Sequence, residues 1–182
     1  MVWGVEDIVM CPGKEDMFRF LEDIVREVVP LFPGKYFHIG GDECPKTSWK
    51  NCPTCQKRIE AEGLQADGKH SAEERLQSYV IKRMEKMLAK YGRKIIGWDE
   101  ILEGGLSPEA TVMSWRGTSG GISAALQKHD VIMTPGSGGL YLDHYQGDYK
   151  IEPVTIASSP AYLSKTYNYE PVPDTIKSLG LE

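Results

Sequence analysis

The chain has 182 residues, 41% of them hydrophobic and 26% charged, a balance that fits a soluble globular protein with a sizeable core. A formal net charge of −5 excludes the basic face that phosphate neutralisation requires, so nucleic acid is not an expected partner and neutral ligands such as sugars fit better. No apolar run approaches the roughly 20 residues of a membrane span. The opening Met1-Val2-Trp3-Gly4-Val5-Glu6-Asp7 has neither the basic nor the apolar region of a signal peptide.

Residues 15–29 repeat apolar side chains at Met17, Leu21, Ile24, Val25 and Val28, a helical period that Pro30 and Pro33-Gly34 stop. Tyr36-Phe37-His38-Ile39 reads as a strand ending in Gly40-Gly41. Residues 44–70 are polar and punctuated by Pro and Gly, which predicts a long loop with one short helix around Gln56 to Ala61. Ser71 and Glu74 form a capping box, and Leu76, Tyr79, Val80, Met84, Met87, Leu88 and Tyr91 continue a helical stripe up to Gly92. Then follow a strand at Lys94-Ile95-Ile96-Gly97-Trp98, a loop, a strand at Thr111-Val112-Met113-Ser114-Trp115, a helix from about Gly120 to Lys128 and a strand at Val131-Ile132-Met133.

Alternating strands and helices imply parallel strands joined by crossover helices, an α/β fold that is either doubly wound or a barrel. Asp42-Glu43, Trp98-Asp99-Glu100 and Trp115-Arg116 each follow a strand directly, the arrangement of a TIM barrel active face, which favours the barrel. A whole barrel takes about 250 residues. The expectation is therefore a partial (β/α)8 barrel of about four strand-helix units.

Two adjacent carboxylates, Asp42 and Glu43, follow a strand whose last residues lack side chains, so a substrate can approach the backbone closely. Neighbouring side chains on a strand point opposite ways, and two acids can address different atoms of one sugar with separated pKa values. The competing reading is a turn in which Asp-Glu caps a following helix. Trp98, Trp115 and Tyr141 lie at or just after strand ends, where sugars stack their C–H faces; burial in the core is the alternative for any indole. Trp3 and Trp49 keep the packing reading. His38 is expected to satisfy a structural hydrogen bond rather than titrate in catalysis, His144 is open between roles, and His70 is expected to be exposed. The cysteines Cys11, Cys44, Cys52 and Cys55 leave three readings open: plain loop thiols, a Cys52/Cys55 disulfide, or a zinc site built from Cys44, Cys52, Cys55 and His70.

The ordered motifs His38-Ile39-Gly40-Gly41-Asp42-Glu43, Gly97-Trp98-Asp99-Glu100, Ser114-Trp115-Arg116-Gly117 and Tyr141-Leu142-Asp143 resemble those of family 20 β-N-acetylhexosaminidases, over nearly the whole chain. The resemblance implies that Glu43 is the general acid/base, that Asp42 orients and charge-stabilises the 2-acetamido group, and that Tyr141 donates to the acetamido oxygen. It also implies that Trp98 and Trp115 wall the sugar pocket and Asp143 binds sugar hydroxyls. The implied reaction is retaining and substrate-assisted, on terminal N-acetylhexosamine of a glycan, with no metal or organic cofactor. The parent is expected to be exported.

The arginine and histidine of the family's earlier strands and its later Trp-x-Glu motif are not recognisable, so residues 1–182 are expected to be a fragment lacking the first strands and the last. Such a fragment would be inactive or nearly so and would dimerise through its open edges. The alternatives are a glycosidase whose carboxylate nucleophile pairs Glu43 with Glu100 or Asp99, a non-catalytic carbohydrate-binding fragment, and a zinc-stabilised module.

Overall fold

The computed structural model describes residues 7–138, 140, 145–155 and 160–181, in two compact units, Met1–Ala110 and Thr111–Glu182. In the first, α1 (Glu15–Val28) forms where the apolar period predicts it, burying Met17, Phe18 and Val25. Glu15 and Asp16 occupy its first turn, where acidic groups meet the positive end of the helix dipole. Pro30 lacks an amide hydrogen, and the chain leaves the helix through a 3-10 turn at Val29–Leu31.

The strands β1 (Tyr36–His38) and β2 (Lys94–Trp98) pair in parallel, with Phe37 opposite Ile95 and His38 opposite Ile96. Their crossover carries α4 (Ala72–Ala89), whose start is the expected capping box: Ser71 Oγ accepts from the Glu74 N–H at 3.2 Å, and Glu74 Oε2 accepts from the Ser71 N–H at 2.6 Å. The polar segment before it holds two helices rather than one, α2 (Thr47–Lys50) and α3 (Pro53–Ala61). Long-range packing forms them: Trp49, Cys55, Ile59 and Leu76 make one buried cluster, and Pro53 preorganises the first turn of α3.

Glu15 ties three helices together. Its carboxylate accepts from Arg58 of α3 at 2.5 Å and from Arg83 of α4 at 2.9 Å, while the Arg83 guanidinium lies 3.9 Å from the Phe18 ring centroid. Hydrogen bonding to Arg83, with Arg58 beside it, holds the Glu15 carboxyl below its ordinary pKa.

In the second unit β3 (Thr111–Ser114) and β4 (Val131–Met133) also pair in parallel, joined by α5 (Ser119–Leu126), with Val112 opposite Val131 and Ser114 opposite Met133. Two short helices follow, α6 (Leu163–Tyr167) and α7 (Asp174–Lys177), the latter burying Ile176. Each unit is thus a parallel strand-helix-strand piece, as the alternation implied. Among the described residues no helix is long and apolar enough to cross a membrane.

Candidate active site

The ladder of β1 and β2 runs past the last residue of β1: the Ile39 N–H donates to the Ile96 carbonyl at 2.9 Å, and the Trp98 N–H donates to the Gly40 carbonyl at 2.9 Å. The chain then turns through Gly40 and Gly41, at φ of +70° and +94°. Gly41 is held from two sides. A Cβ there would stand 2.5 Å from Ile101 Cγ2, and its carbonyl accepts from Gln77 Nε2 of α4 at 3.0 Å.

Asp42 is half-buried and folds back over this turn, its Oδ1 lying 3.3 Å from where a Cβ on Gly40 would be. Glu43 is exposed and has a φ of +44°, a left-handed conformation that a glutamate adopts only at a cost. The two adjacent acids therefore differ in environment: one is gathered against the backbone, the other presented to solvent.

His38 Nδ1 accepts from the Gly40 N–H at 3.0 Å, so the imidazole has the structural hydrogen bond expected of it and is neutral with its proton on Nε2. Desolvation of the imidazole lowers its pKa, against the opposing pull of the Asp42 charge. The His38 and Trp98 ring centroids are 4.7 Å apart at 59°, placing the half-buried Trp98 beside the turn that carries the carboxylates. Asp99 and Glu100 are only 4% and 6% exposed, drawn into a 3-10 turn at Asp99–Leu102. That burial speaks against either as a nucleophile facing a bound sugar. Lys46 pairs with Glu103 at 3.1 Å, anchoring the segment after Glu43.

His70 departs from expectation. It is half-buried, and its Nδ1 accepts from the Gly104 N–H at 3.2 Å, a contact made by residues far apart in sequence. The cysteines also group differently: Cys11, not Cys44 or His70, joins Cys52 and Cys55, and all four are free thiols. Trp49 is buried, as the packing reading required, and donates to the Met10 carbonyl at 2.9 Å.

In the second unit Trp115 follows β3 directly and is half-buried. The fully buried Ser114 fixes the loop beyond it, its hydroxyl donating to the Gly117 carbonyl at 2.7 Å and accepting from the Gly121 N–H of α5 at 2.9 Å. Tyr141, Asp143 and His144, like Trp3, lie outside the described residues.

Sequence reasoning missed Gln77 and Ile101. Gln77 shares the helical phase of Val80, Ile81 and Met84, and an amide among those apolar positions was the available signal that it serves a buried polar group.

Residues 1–180 match the family described as glycosyl hydrolase family 20, catalytic domain. A β-hexosaminidase of Porphyromonas gingivalis is 61% identical over 173 residues, covering 95% of this chain and 21% of that protein. One of Vibrio furnissii is 34% identical over 167 residues, covering 91% of this chain and 26% of that protein. The chain thus spans about a quarter or less of these relatives' lengths. Among solved structures, the family 20 exo-β-N-acetylglucosaminidase from Vibrio harveyi, determined in complex with N-acetylglucosamine, matches with a TM-score of 0.77 at 30% identity, over 93% of this chain and 26% of that one. The parallel strand-helix units are accordingly part of a TIM barrel. With the carboxylate pair on its glycine turn at the end of β1, this match over nearly every residue leaves one assignment: the chain belongs to glycosyl hydrolase family 20.

Proposed function

We propose that the intact protein releases terminal non-reducing N-acetyl-D-hexosamine from β-N-acetylhexosaminides with retention, using the substrate's own acetamido oxygen as the nucleophile. The observation that carries this is the unequal pair at the end of β1: the exposed Glu43 on a left-handed backbone and the half-buried Asp42 folded against Gly40. A group that exchanges protons with a leaving oxygen and with water needs solvent access, whereas a group that stabilises positive charge near the anomeric centre gains from partial burial.

Glu43 donates its proton to the glycosidic oxygen as the bond from that oxygen to the anomeric carbon breaks and the acetamido oxygen closes on the same carbon. Asp42 balances the positive charge of the resulting oxazolinium. The Glu43 carboxylate then takes a proton from water, whose oxygen attacks the anomeric carbon and reopens the ring. Tyr141 donates to the acetamido oxygen, Trp98 and Trp115 wall the sugar, and Asp143 holds its hydroxyls. No metal or organic cofactor enters these steps.

Glu43→Gln in the intact protein tests this reading. Hydrolysis of poor leaving groups should fall by about 10² or more, while activated aryl glycosides, which need no proton donor, are spared. Equal losses on both would overturn the assignment.

Export of the intact protein accompanies this reading on the strength of the family resemblance, and fractionation of expressing cells checks it. The 182-residue chain by itself self-associates and turns over little or no substrate. Its first unit supports this, exposing Phe20, Ile24, Leu31, Phe32 and Tyr36 and opening an apolar cavity of about 380 Å³ beneath β1. A monomer by light scattering at micromolar concentration would contradict it.

A further inference from the structure

Three sulfurs converge at the first turn of α3. Cys11 Sγ lies 3.3 Å from Cys55 Sγ and 3.6 Å from Cys52 Sγ, and all three sit within 4.8 Å of one another. A zinc-sulfur bond of about 2.3 Å gives a tetrahedron whose edge is about 3.8 Å. The sulfurs therefore stand near the spacing of ligands around one ion. Cys11 comes from a separate turn closed by the Lys14 N–H donating to the Cys11 carbonyl at 3.1 Å, and that turn seats directly on the helix. Only glycine permits the approach, since a Cβ at Gly13 would be 2.4 Å from the Thr54 carbonyl and 2.7 Å from the Cys55 nitrogen.

The surroundings are part polar and part apolar. The backbone N–H groups of Thr54 and Cys55 lie near Cys52 and that of Gly13 lies near Cys55, polar neighbours that offset charge on sulfur ligands. Trp49, Ile59 and Leu76 close the apolar side, and Cys55 is completely buried. A disulfide would use two of the three sulfurs, whereas a cation engages all three.

We propose that Cys11, Cys52 and Cys55 hold one soft divalent cation of the zinc class, with the fourth tetrahedral position open to water. On loading, three S–H protons pass to solvent as three metal-sulfur bonds form, and no electron is transferred. Cys44 packs against the same cluster, but its sulfur stands outside the group. The ion would clamp the Cys11 turn to α3 and so fix the far end of the segment that begins immediately after Glu43. That clamp does not depend on the hydrolytic reading.

The test is titration of the reduced, metal-stripped protein with cobalt(II). A thiolate-to-cobalt charge-transfer band should rise to a plateau at one ion per chain and vanish on adding one equivalent of zinc. Cys44→Ser should leave the band intact. Cys11→Ser and Cys52→Ser should abolish it. Serine is a good N-cap, so the Cys52 variant should keep its helix content by circular dichroism and remain informative. The proposal is overturned if the wild-type protein shows no such band, if the band survives in both the Cys11 and Cys52 variants, or if it is lost in Cys44→Ser. It is equally overturned if intact mass reveals a disulfide among the three and the reduced protein takes up no cobalt.

Discussion

Gln77 Nε2 donates to the Gly41 carbonyl at 3.0 Å, so a side chain in the middle of α4 holds the peptide just ahead of Asp42 from 36 positions along the chain. The same nitrogen lies 3.5 Å from the Glu100 carbonyl, which brings the ends of β1 and β2 under one amide. Gln77→Leu keeps the volume and leaves the part-buried Gly41 carbonyl without its donor, while also removing the buried, unpartnered Gln77 Oε1. A loss of about 1 to 3 kcal/mol in denaturant unfolding is expected. An unchanged midpoint would mean that water replaces the amide at no cost.

Gly41 and Ile101 should be strongly coupled. Gly41→Ala drives a methyl to 2.5 Å from Ile101 Cγ2 at a φ of +94°. Crowding of this kind costs about 1 to 3 kcal/mol, with about another 1 from the backbone conformation. Ile101→Ala removes the opposing Cγ2, so Gly41→Ala should cost less in that background than in the wild type. Additive losses in the double-mutant cycle would show that backbone conformation alone decides.

His38 should titrate below the usual histidine value of 6.5, because desolvation by the neighbouring groups disfavours the imidazolium and outweighs the Asp42 charge. A depressed folded pKa means that the neutral ring contributes stability above the unfolded value, and that this contribution is lost as pH falls through the folded one. Protonation would also remove the lone pair that accepts the Gly40 N–H. Nitrogen NMR of the ring should show the Nε2–H tautomer at neutral pH. An inflection above 6.5 would contradict the assignment.

On the proposed mechanism, Asp42→Asn in the intact protein should slow every leaving group alike, by about 10² or more, since Asp42 would balance charge on the cyclised acetamido however the aglycone departs. A rate preserved on an activated aryl substrate would remove Asp42 from the chemistry.

Much of this was legible because its causes are local. The apolar period of α1, the capping box of α4 and the Gly40-Gly41 pair are each written within a few adjacent residues, and each formed where expected. The Asp42-Glu43 pair and Trp98 stood out as candidates by their position at strand ends, and the structure places strands there. What stayed hidden depends on meetings across the chain. Cys11 joins Cys52 over 41 positions, which no spacing of cysteines reveals. His70 finds the Gly104 N–H across 34 positions, and the polar helices α2 and α3 exist because Trp49 and Cys55 reach the Leu76 cluster. Composition alone made that segment look like a loop.

The φ of +44° at Glu43 sets the role proposed for this position against its backbone preference. Glutamine has nearly the same backbone preferences as glutamate, while asparagine enters the left-handed region far more readily. Two substitutions that equally remove the carboxylate should therefore differ in thermal stability, with Glu43→Asn melting above both Glu43→Gln and the wild type. Under the proposed mechanism, that difference would measure the stability this position forgoes for proton transfer. Ranking inert variants by melting temperature would read that conflict directly, without any substrate in the cuvette.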